Sequence, residues 1–547
     1  MRSRWIDVKL QNPTKYFARD ATGLVREFGA LDTVLFASVM VFALVFTTTQ
    51  FAWFYGNTLG ANLPLTLLVA AIPFVFLMLA YWAIGITMPR SGNDYVWIGR
   101  IFHPSIGFAW ALFYMVIIFL VAYVGEIGPF SYAISAALTL LGLQTASGSL
   151  QSLGTFLGGP LGTLELASLF TIIFGFFALF GTRFIKGILY ITWIAAIIGI
   201  GLMWYILAST STTTFISHWN TFLAAGNPSL TYSALQTAGA SGMPALSSGF
   251  SGIVLALPLA FLFLFGGNYA NGFAGEIKNV RKAIPIALFL SLIFGIIYWS
   301  VTSTLTLDTV GSTWMTIIGH AWDNSGVGST AYPLAYAPSQ PLLLAVAAYP
   351  NNALITVMFV TYILGSIGAL FTYFWIPSKY FFAWSFDRVL PTKFADISSR
   401  FHTAYLSVVV IVVMGIGLSY LYAYLGYSVY FTLGSVLWGA AYVIPGLALA
   451  AFPFIKKDLF AQAPGWVSKK VAGVPLVTII GVIVAIGFAY VAGIAYNNPA
   501  IGAADSFSEV LAVGLVAVGF AIYFVSAQYH KSKGMNIGMA LKEIPPE

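Results

Sequence analysis

The chain of 547 residues is 59% hydrophobic, only 7% charged and free of cysteine. A soluble domain usually carries about 25% charged residues, so this chain has too few charges for a water-facing surface and lipid must cover most of it. The lack of cysteine excludes disulfides, thiolate metal sites and cysteine catalysis. The formal net charge of +7 does not indicate a nucleic-acid partner, because the basic residues are distributed as they are in a membrane protein.

The first 30 residues form a basic segment that precedes the first long apolar run. A secretory signal peptide would instead place a shorter apolar run near the start of the chain. The first apolar run here is long enough to cross a bilayer. We therefore expect residues 1–30 to be a retained cytoplasmic tail.

Twelve apolar stretches are long enough to span a membrane, since a bilayer core of about 30 Å needs about 20 helical residues. Such runs must be helical in lipid, because their backbone polar groups have to be satisfied within each segment. The sequence thus predicts an all-α integral membrane protein with 12 transmembrane helices. The predicted spans 1 to 12 are 31–54, 64–88, 105–137, 161–182, 184–208, 249–275, 283–306, 352–378, 404–424, 427–453, 473–496 and 509–528.

All 24 Lys and Arg residues fall on one side of this predicted topology. Basic residues concentrate in cytoplasmic segments of membrane proteins, so both termini are predicted to be cytoplasmic, with 529–547 as the C-terminal tail. The cell membrane is the expected location. The basic segments are 1–30, 89–104, 183–186, 276–282, 379–403, 454–472 and 529–547.

The two long segments on the other side, 209–248 and 307–351, are rich in Ser, Thr, Gly, Asn and Ala. Their composition is typical of polar surface loops. A lid over a vestibule that opens to the outside is the alternative, and composition does not decide between the two.

The predicted sixth span contains the adjacent glycines Gly266 and Gly267, followed by Asn268 and Asn271. Each glycine weakens a helix by about 1 kcal/mol relative to alanine. A helix that breaks in the membrane exposes backbone groups, which transporters use to bind polar substrates and ions. Small residues also allow close helix packing. Both interpretations remain open from composition alone.

Four segments carry recognisable motifs. Span 6 has Phe-Gly at 265–266 and leaves the membrane through Glu-Ile-Lys-Asn at 276–279, with a basic pair and Pro285 after it. The loop at 88–95 reads Met-Pro-Arg-Ser-Gly-Asn-Asp-Tyr, Asp-Arg-Val-Leu-Pro follows span 8, and 24–32 precedes span 1. These motifs resemble those of the amino acid permeases in the amino acid–polyamine–organocation superfamily.

The resemblance implies a LeuT-like core of five plus five helices in an inverted repeat, with helices 1 and 6 broken and two further helices. On this chain the first repeat would be 31–208 (helices 1–5) and the second 249–453 (helices 6–10), followed by helices 11–12 at 473–528. The break of span 6 would lie at about 264–268.

The resemblance also implies where substrate binds, which is at the two breaks. Members of the superfamily normally have Gly-X-Gly in span 1, whereas this chain has Ala43 and Val45 at those positions. Their side chains leave no room for a substrate group against the backbone, which favours a bulkier substrate, a differently charged one or one held mainly from span 6. The expected substrate-binding residues are Ala43, Leu44, Val45, Phe265, Gly266, Gly267 and Asn268.

Three residues are candidates for ion coupling. Glu126 lies in span 3, and an acid within a membrane is by default a functional hypothesis. It would bind a cationic substrate group, carry a coupling proton, lie in an aqueous vestibule near the outer side or pair with a helix terminus. Ser366 and Thr372 of span 8 are possible sodium ligands. The coupling ion is therefore expected to be H⁺ or Na⁺, and no cofactor is expected.

Glu276, at the exit of span 6, is expected to form an ion-pair network with Lys278 and Arg281 that stabilises one state of a cytoplasmic gate.

The function predicted from these features is secondary active transport of amino acids or related amines by alternating access, and not enzymatic activity. No nucleotide-binding motif indicates an ATP-driven pump. The expected partners are a small amino acid or amine and the lipid bilayer. The alternative is a non-transporting subunit of a membrane complex that retains the transporter fold, which the missing glycines of span 1 keep open.

Overall fold

The computed structural model describes residues 26–41, 49–92, 94–117, 122–245, 249–398, 400–425, 439–498 and 506–540. These residues are almost entirely helical, with one two-stranded hairpin of β1 (Lys470–Val471) and β2 (Val474–Pro475). The helices are α1 (Ala30–Val41), α2 (Gln50–Thr58), α3 (Leu63–Thr87), α4 (Asp94–Ile101), α5 (Pro104–Tyr114), α6 (Ala122–Gln144), α7 (Gly148–Gly158), α8 (Pro160–Ala178), α9 (Thr182–Ser209), α10 (Thr212–Phe222), α11 (Tyr232–Ala240), α12 (Phe250–Leu262), α13 (Val280–Val310), α14 (Ser312–Ser325), α15 (Gln340–Ala348), α16 (Asn352–Phe386), α17 (Tyr405–Leu425), α18 (Val443–Ile455), α19 (Lys457–Ala461), α20 (Leu476–Tyr496), α21 (Ser506–Ser532) and α22 (Ile537–Ala540).

The predicted all-α membrane architecture is confirmed. Ten helical segments in the described part are long and apolar enough to cross a bilayer, and they occupy the positions of predicted spans 2 to 9, 11 and 12. Two shorter apolar helices, Ala30–Val41 and Gly439–Ile455, occupy the positions of spans 1 and 10. The rest of those two spans falls partly on 42–48 and 427–438, which lie outside the described residues.

The helix contacts are compatible with a repeat of five plus five. In such a repeat spans 2 and 7, 3 and 8, and 4 and 9 are equivalent, so each pair can pack across the repeat axis. The structure has all three contacts, between α3 and α13, α6 and α16, and α8 and α17. It also has the related contacts of span 1 with span 7 (α1 with α13) and span 6 with span 2 (α12 with α3).

Four of the basic segments meet at one end of this bundle, which we call the basic side. Residues 26–28 pair with 276–278, residues 91–92 contact 272–273, and Arg100 of α4 reaches Asp387 at the end of α16. The other end of the bundle is called the opposite side below.

The segments 209–248 and 307–351 on the opposite side contain helices α10, α11, α14 and α15, so their interpretation as polar loops is wrong for most of their described length. An aromatic cluster holds them together, with Trp314 stacked on Tyr232 at 4.9 Å and edge-on to Trp219 at 5.0 Å. Such pairs contribute about 0.5–1.5 kcal/mol beyond the burial of their surface. The helix α14 packs against α2, which is the continuation of span 1.

Candidate functional site

Span 6 is interrupted in the middle of the bundle. Its α-helix ends at Leu262, and two 3₁₀ turns, Gly267–Gly272 and Ala274–Glu276, complete the crossing. Gly266 has a φ of +118°, a conformation that side chains other than glycine rarely adopt. A Cβ atom at this position would lie 2.5 Å from the Cβ atom of Met40 in α1. The predicted break of span 6 is confirmed.

The helix end at this break is buried, although the last carbonyls of a helix lack partners within the helix. The whole stretch from Leu259 to Ile277 is buried in the bundle. Backbone polar groups at such a break must therefore find partners in the protein or in a bound molecule. This makes the break a candidate site for a polar ligand.

Asn268 brings a side-chain amide into the break. It is completely buried, and its Nδ2 donates hydrogen bonds to the hydroxyls of Tyr442 at 3.1 Å and Tyr114 at 3.4 Å. Its Oδ1 accepts no hydrogen bond from the described residues. A buried acceptor without a donor costs about 1–3 kcal/mol. A ligand that offers an N–H group, such as an ammonium, would satisfy it.

Two tyrosines at this site were not predicted from the sequence. Tyr442, from the position of span 10, stacks on Phe265 at 5.4 Å, and its hydroxyl lies 3.2 Å from that of Tyr114 in α5. Spans 3, 6 and 10 thus meet around Asn268. An isolated tyrosine in an apolar run is usually an interfacial or packing residue, so no sequence signal separated these two from the other 27 tyrosines.

Gly267 serves close packing as well. A Cβ atom there would collide with the hydroxyl of Ser291 in α13. The glycine pair therefore has both predicted roles. Gly266 allows the backbone to break the helix, and Gly267 allows close packing against α13.

The other candidate residues of the substrate site fall in span 1. Ala43, Leu44 and Val45 lie outside the described residues, so their role stays a prediction.

Ser366 and Thr372 lie on α16 and are both buried. Thr372 donates its hydroxyl to the carbonyl of Gly368 in its own helix at 2.9 Å. The hydroxyl of Ser366 has no hydrogen-bond partner in the described part of the chain. Both oxygens keep lone pairs for a cation, so their role as sodium ligands stays a prediction.

Glu126 lies on α6 inside the bundle, with 2% of its surface exposed. This burial contradicts the alternative of an acid in an aqueous vestibule. Its charge acts on Tyr373 of α16 and Tyr422 of α17, and one of its carboxylate oxygens has no partner among the described residues. A carboxyl in these surroundings needs a proton or a cation from outside the protein.

Glu276 forms a buried ion pair on the basic side of the break. It pairs with Lys379 of α16 at 2.6 Å, and the two side chains are 1% and 9% exposed. The ammonium group of Lys379 also lies 4.4 Å from the centre of the Trp375 ring. The expected partners Lys278 and Arg281 are both exposed. That prediction was wrong because Glu276 points into the bundle from the last turn of span 6.

The residues before α1 also contact Glu276. The N–H groups of Glu27 and Phe28 donate to the carbonyl of Glu276 at 2.9 and 3.0 Å, and the N–H of Lys278 donates to the carbonyl of Phe28 at 2.9 Å. The carboxylate of Glu27 contacts Thr182 and Arg183 at the start of α9. Burial raises the pKa of Glu27, but these partners outweigh it and hold the pKa below its usual value.

The opposite side is closed by glycine contacts. Gly56 of α2 and Gly319 of α14 lie so close that a Cβ atom on Gly319 would collide with the carbonyl of Ala52. Next to this contact, Asn57 donates to Asp323 at 3.0 Å. The described residues thus pack tightly on both sides of the break.

Comparison with known proteins agrees with this geometry. A family model described as "Amino acid permease" matches residues 33–520. A relative named "Branched-chain amino acid permease BcaP", from Lactococcus lactis subsp. cremoris (strain MG1363), is 25% identical over 386 residues, which cover 69% of this chain and 70% of the relative.

Proposed function

The chain belongs to the amino acid permease family, and from this membership we propose that it carries an amino acid or a related amine across the membrane by alternating access. The observation that carries the proposal is the buried break of span 6 between two tightly packed ends. A site inside the bundle with a closure on each side is what alternating access requires, because one closure opens while the other holds.

In this proposal the substrate binds beside Asn268. Its ammonium group donates to Oδ1 of Asn268 and to carbonyls freed by the break, while Phe265 and Tyr442 line the apolar part. The relative's name makes branched-chain amino acids the first substrates to test.

Each closure has a defined set of contacts to break. Opening the basic side separates Glu276 from Lys379 and releases the backbone pairing with Phe28. Opening the opposite side separates α14 from α2 at Gly319 and Gly56. Neither movement requires a change within the long helices of the scaffold, so rigid-body motion of the broken spans is enough.

The coupling ion is proposed to be H⁺ or Na⁺. A proton would bind Glu126, which has no cationic partner in the described part of the chain. A sodium ion would use the hydroxyls of Ser366 and Thr372. The distribution of Lys and Arg assigns the basic side to the cytoplasm, with both termini there, and the cell membrane is the proposed location.

Counterflow into proteoliposomes tests the function. Vesicles loaded with unlabelled leucine should accumulate labelled leucine, and the same assay with each amino acid and with simple amines defines the substrate class. A matched preparation of Gly266→Leu should lose substrate binding while still inserting into the membrane. If no amino acid or amine shows saturable uptake, the transport proposal fails and the non-transporting subunit becomes the better interpretation.

A further inference from the structure

Asp94 is a completely buried carboxyl on the basic side that the proposed substrate site does not use. It begins α4, and its Oδ2 accepts a hydrogen bond from the hydroxyl of Tyr81 in α3 at 2.7 Å. Its Oδ1 has no hydrogen-bond partner among the residues that the structure describes. A buried carboxylate is stable only with a cation or with several donors, so this carboxyl is most stable when protonated.

No cation compensates Asp94 in the described part of the chain. Arg100 lies six residues further along α4, on another face, and pairs with Asp387 at 2.8 Å. Lys379 is held by Glu276. The helix α18, which packs on α4, carries no charged residue. The titratable groups whose electrostatic field reaches Asp94 are the tyrosines Tyr81, Tyr114 and Tyr442.

Burial raises the pKa of Asp94 to about 8, although the hydrogen bond from Tyr81 acts in the opposite direction. The position in the first turn of α4 also favours the charged form slightly, through the positive end of the helix dipole. Burial outweighs both effects.

Asp94 also lies where the loop after span 2 meets the inner part of span 6. The N–H of Gly92 donates to the carbonyl of Gly272 at 3.2 Å, and Ser91 forms a bridge with Phe273. Asn271 donates to the carbonyl of Tyr81 at 2.8 Å, on the same residue whose hydroxyl binds Asp94. We call this set of contacts the loop–span 6 joint.

We propose that Asp94 is the proton-binding group of the cytoplasmic gate, which holds a proton while the loop–span 6 joint is closed and releases it when the joint opens. The O–H bond breaks, the proton passes to cytoplasmic water, and the carboxylate becomes hydrated. This inference rests on the proposed function, because it needs span 6 to move. It adds to that function a gate that is linked to H⁺.

The direction of the pH effect follows from linkage. In the closed state the pKa is raised, whereas in the open state a hydrated aspartate has a pKa of about 4. Protons therefore bind the closed state more tightly. Between about pH 4 and 8, each unit of rising pH lowers the ratio of closed to open states by up to tenfold. Acid favours closure and alkali favours opening.

The absence of native cysteine makes a single reporter thiol possible. Ser91→Cys places it in the joint, where the side chain is 9% exposed. We expect the reaction of this thiol with a maleimide, in protein reconstituted in nanodiscs, to accelerate with pH more steeply than in the same protein with Asp94→Asn. Asparagine cannot ionise, so the ratio of the two rates removes the pH dependence of the thiol itself. Asp396→Asn, at an exposed acid on the same side, is the matched control and should follow the parent.

Equal pH dependence with and without Asp94 would overturn the proposal. If Asp94→Asn does not fold, Tyr81→Phe provides a second test. It removes a hydrogen bond to the carboxylate, so the transition should move to higher pH, and an unchanged midpoint would also overturn the proposal. The labelling assay needs no substrate, so it can succeed or fail independently of the counterflow experiment.

Discussion

Glu276→Gln should open the gate on the basic side. In the closed state the substitution leaves the charge of Lys379 buried, since that side chain is 9% exposed and loses its partner at 2.6 Å. Removing one member of a buried ion pair costs about 3–5 kcal/mol. In an open state both groups meet water, so the cost falls on the closed state alone. Because Lys379 keeps its contact with Trp375, we take the lower end, about 3 kcal/mol, which corresponds to about a 100-fold shift toward opening.

Cysteine accessibility measures this shift. A single thiol introduced by Ala274→Cys, which is 2% exposed beside the ion pair, should react with a maleimide about 100-fold faster when Glu276→Gln is present. The double variant Glu276→Gln with Lys379→Met removes both charges, and its rate should return to within about tenfold of the parent. Asp458→Asn, at an exposed acid on the basic side, is the control. A double variant as reactive as the single one would refute the reasoning.

The remaining predictions concern two glycine contacts and the buried acid of span 3. Gly266→Ala should destabilise the protein by more than 1 kcal/mol in thermal unfolding, because the φ of Gly266 is +118°. The control Gly187→Ala has open space around it and should be neutral or stabilising by about 0.5–1 kcal/mol. Equal effects of the two substitutions would contradict the role of the break. In Gly319→Ala the new Cβ atom collides with Ala52 and should hold the opposite side open. Counterflow should then fall at least tenfold while substrate binding persists. Counterflow at the wild-type rate would exclude a moving contact between α14 and α2. Glu126→Gln should abolish the stimulation of net uptake by an imposed proton gradient but preserve counterflow, and stimulation equal to that of the wild type would exclude a coupling proton on this residue.

The sequence was sufficient for the helices that cross the membrane and for the break in span 6. A bilayer fixes the minimum length and the helical structure of an apolar run that crosses it, so the spans are predictable from the run itself. The backbone freedom of glycine is also a local property of the sequence. The break at Gly266 lies within 264–268, where the family resemblance places it, whereas the glycine pair alone left close helix packing open.

The residues that contact Glu276 and Asn268 were less predictable from the sequence. Lys379 is separated from Glu276 by the whole of spans 7 and 8, and only the folded bundle brings them together. From the sequence alone, only proximity along the chain indicates a partner for Glu276, and it favours Lys278. The hydroxyls of Tyr114 and Tyr442 were missed for the same reason, since nothing local marks them as partners of Asn268.

The helices on the opposite side had local signals that their composition obscured. Ser339 accepts a hydrogen bond from the N–H of Leu342, and Pro341 lies in the first turn, as is typical of a helix start. Ser211 caps α10 in the same way. Many small polar residues led to a prediction of loops, although the capping residues indicated helices.

The pairing of Phe28 with Ile277 ties the inner end of the first broken helix to that of the sixth. The ring of Phe28 also packs against those of Phe273 and Trp375, so the connection has a side-chain anchor in addition to its backbone bonds. In the proposed alternating access the inner ends of spans 1 and 6 would therefore move together, and the residues before Phe28 are attached to them. Mechanical load on the N-terminal tail, from a fused protein or from a bound partner, would be transmitted directly to the gate without passing through the membrane-embedded helices.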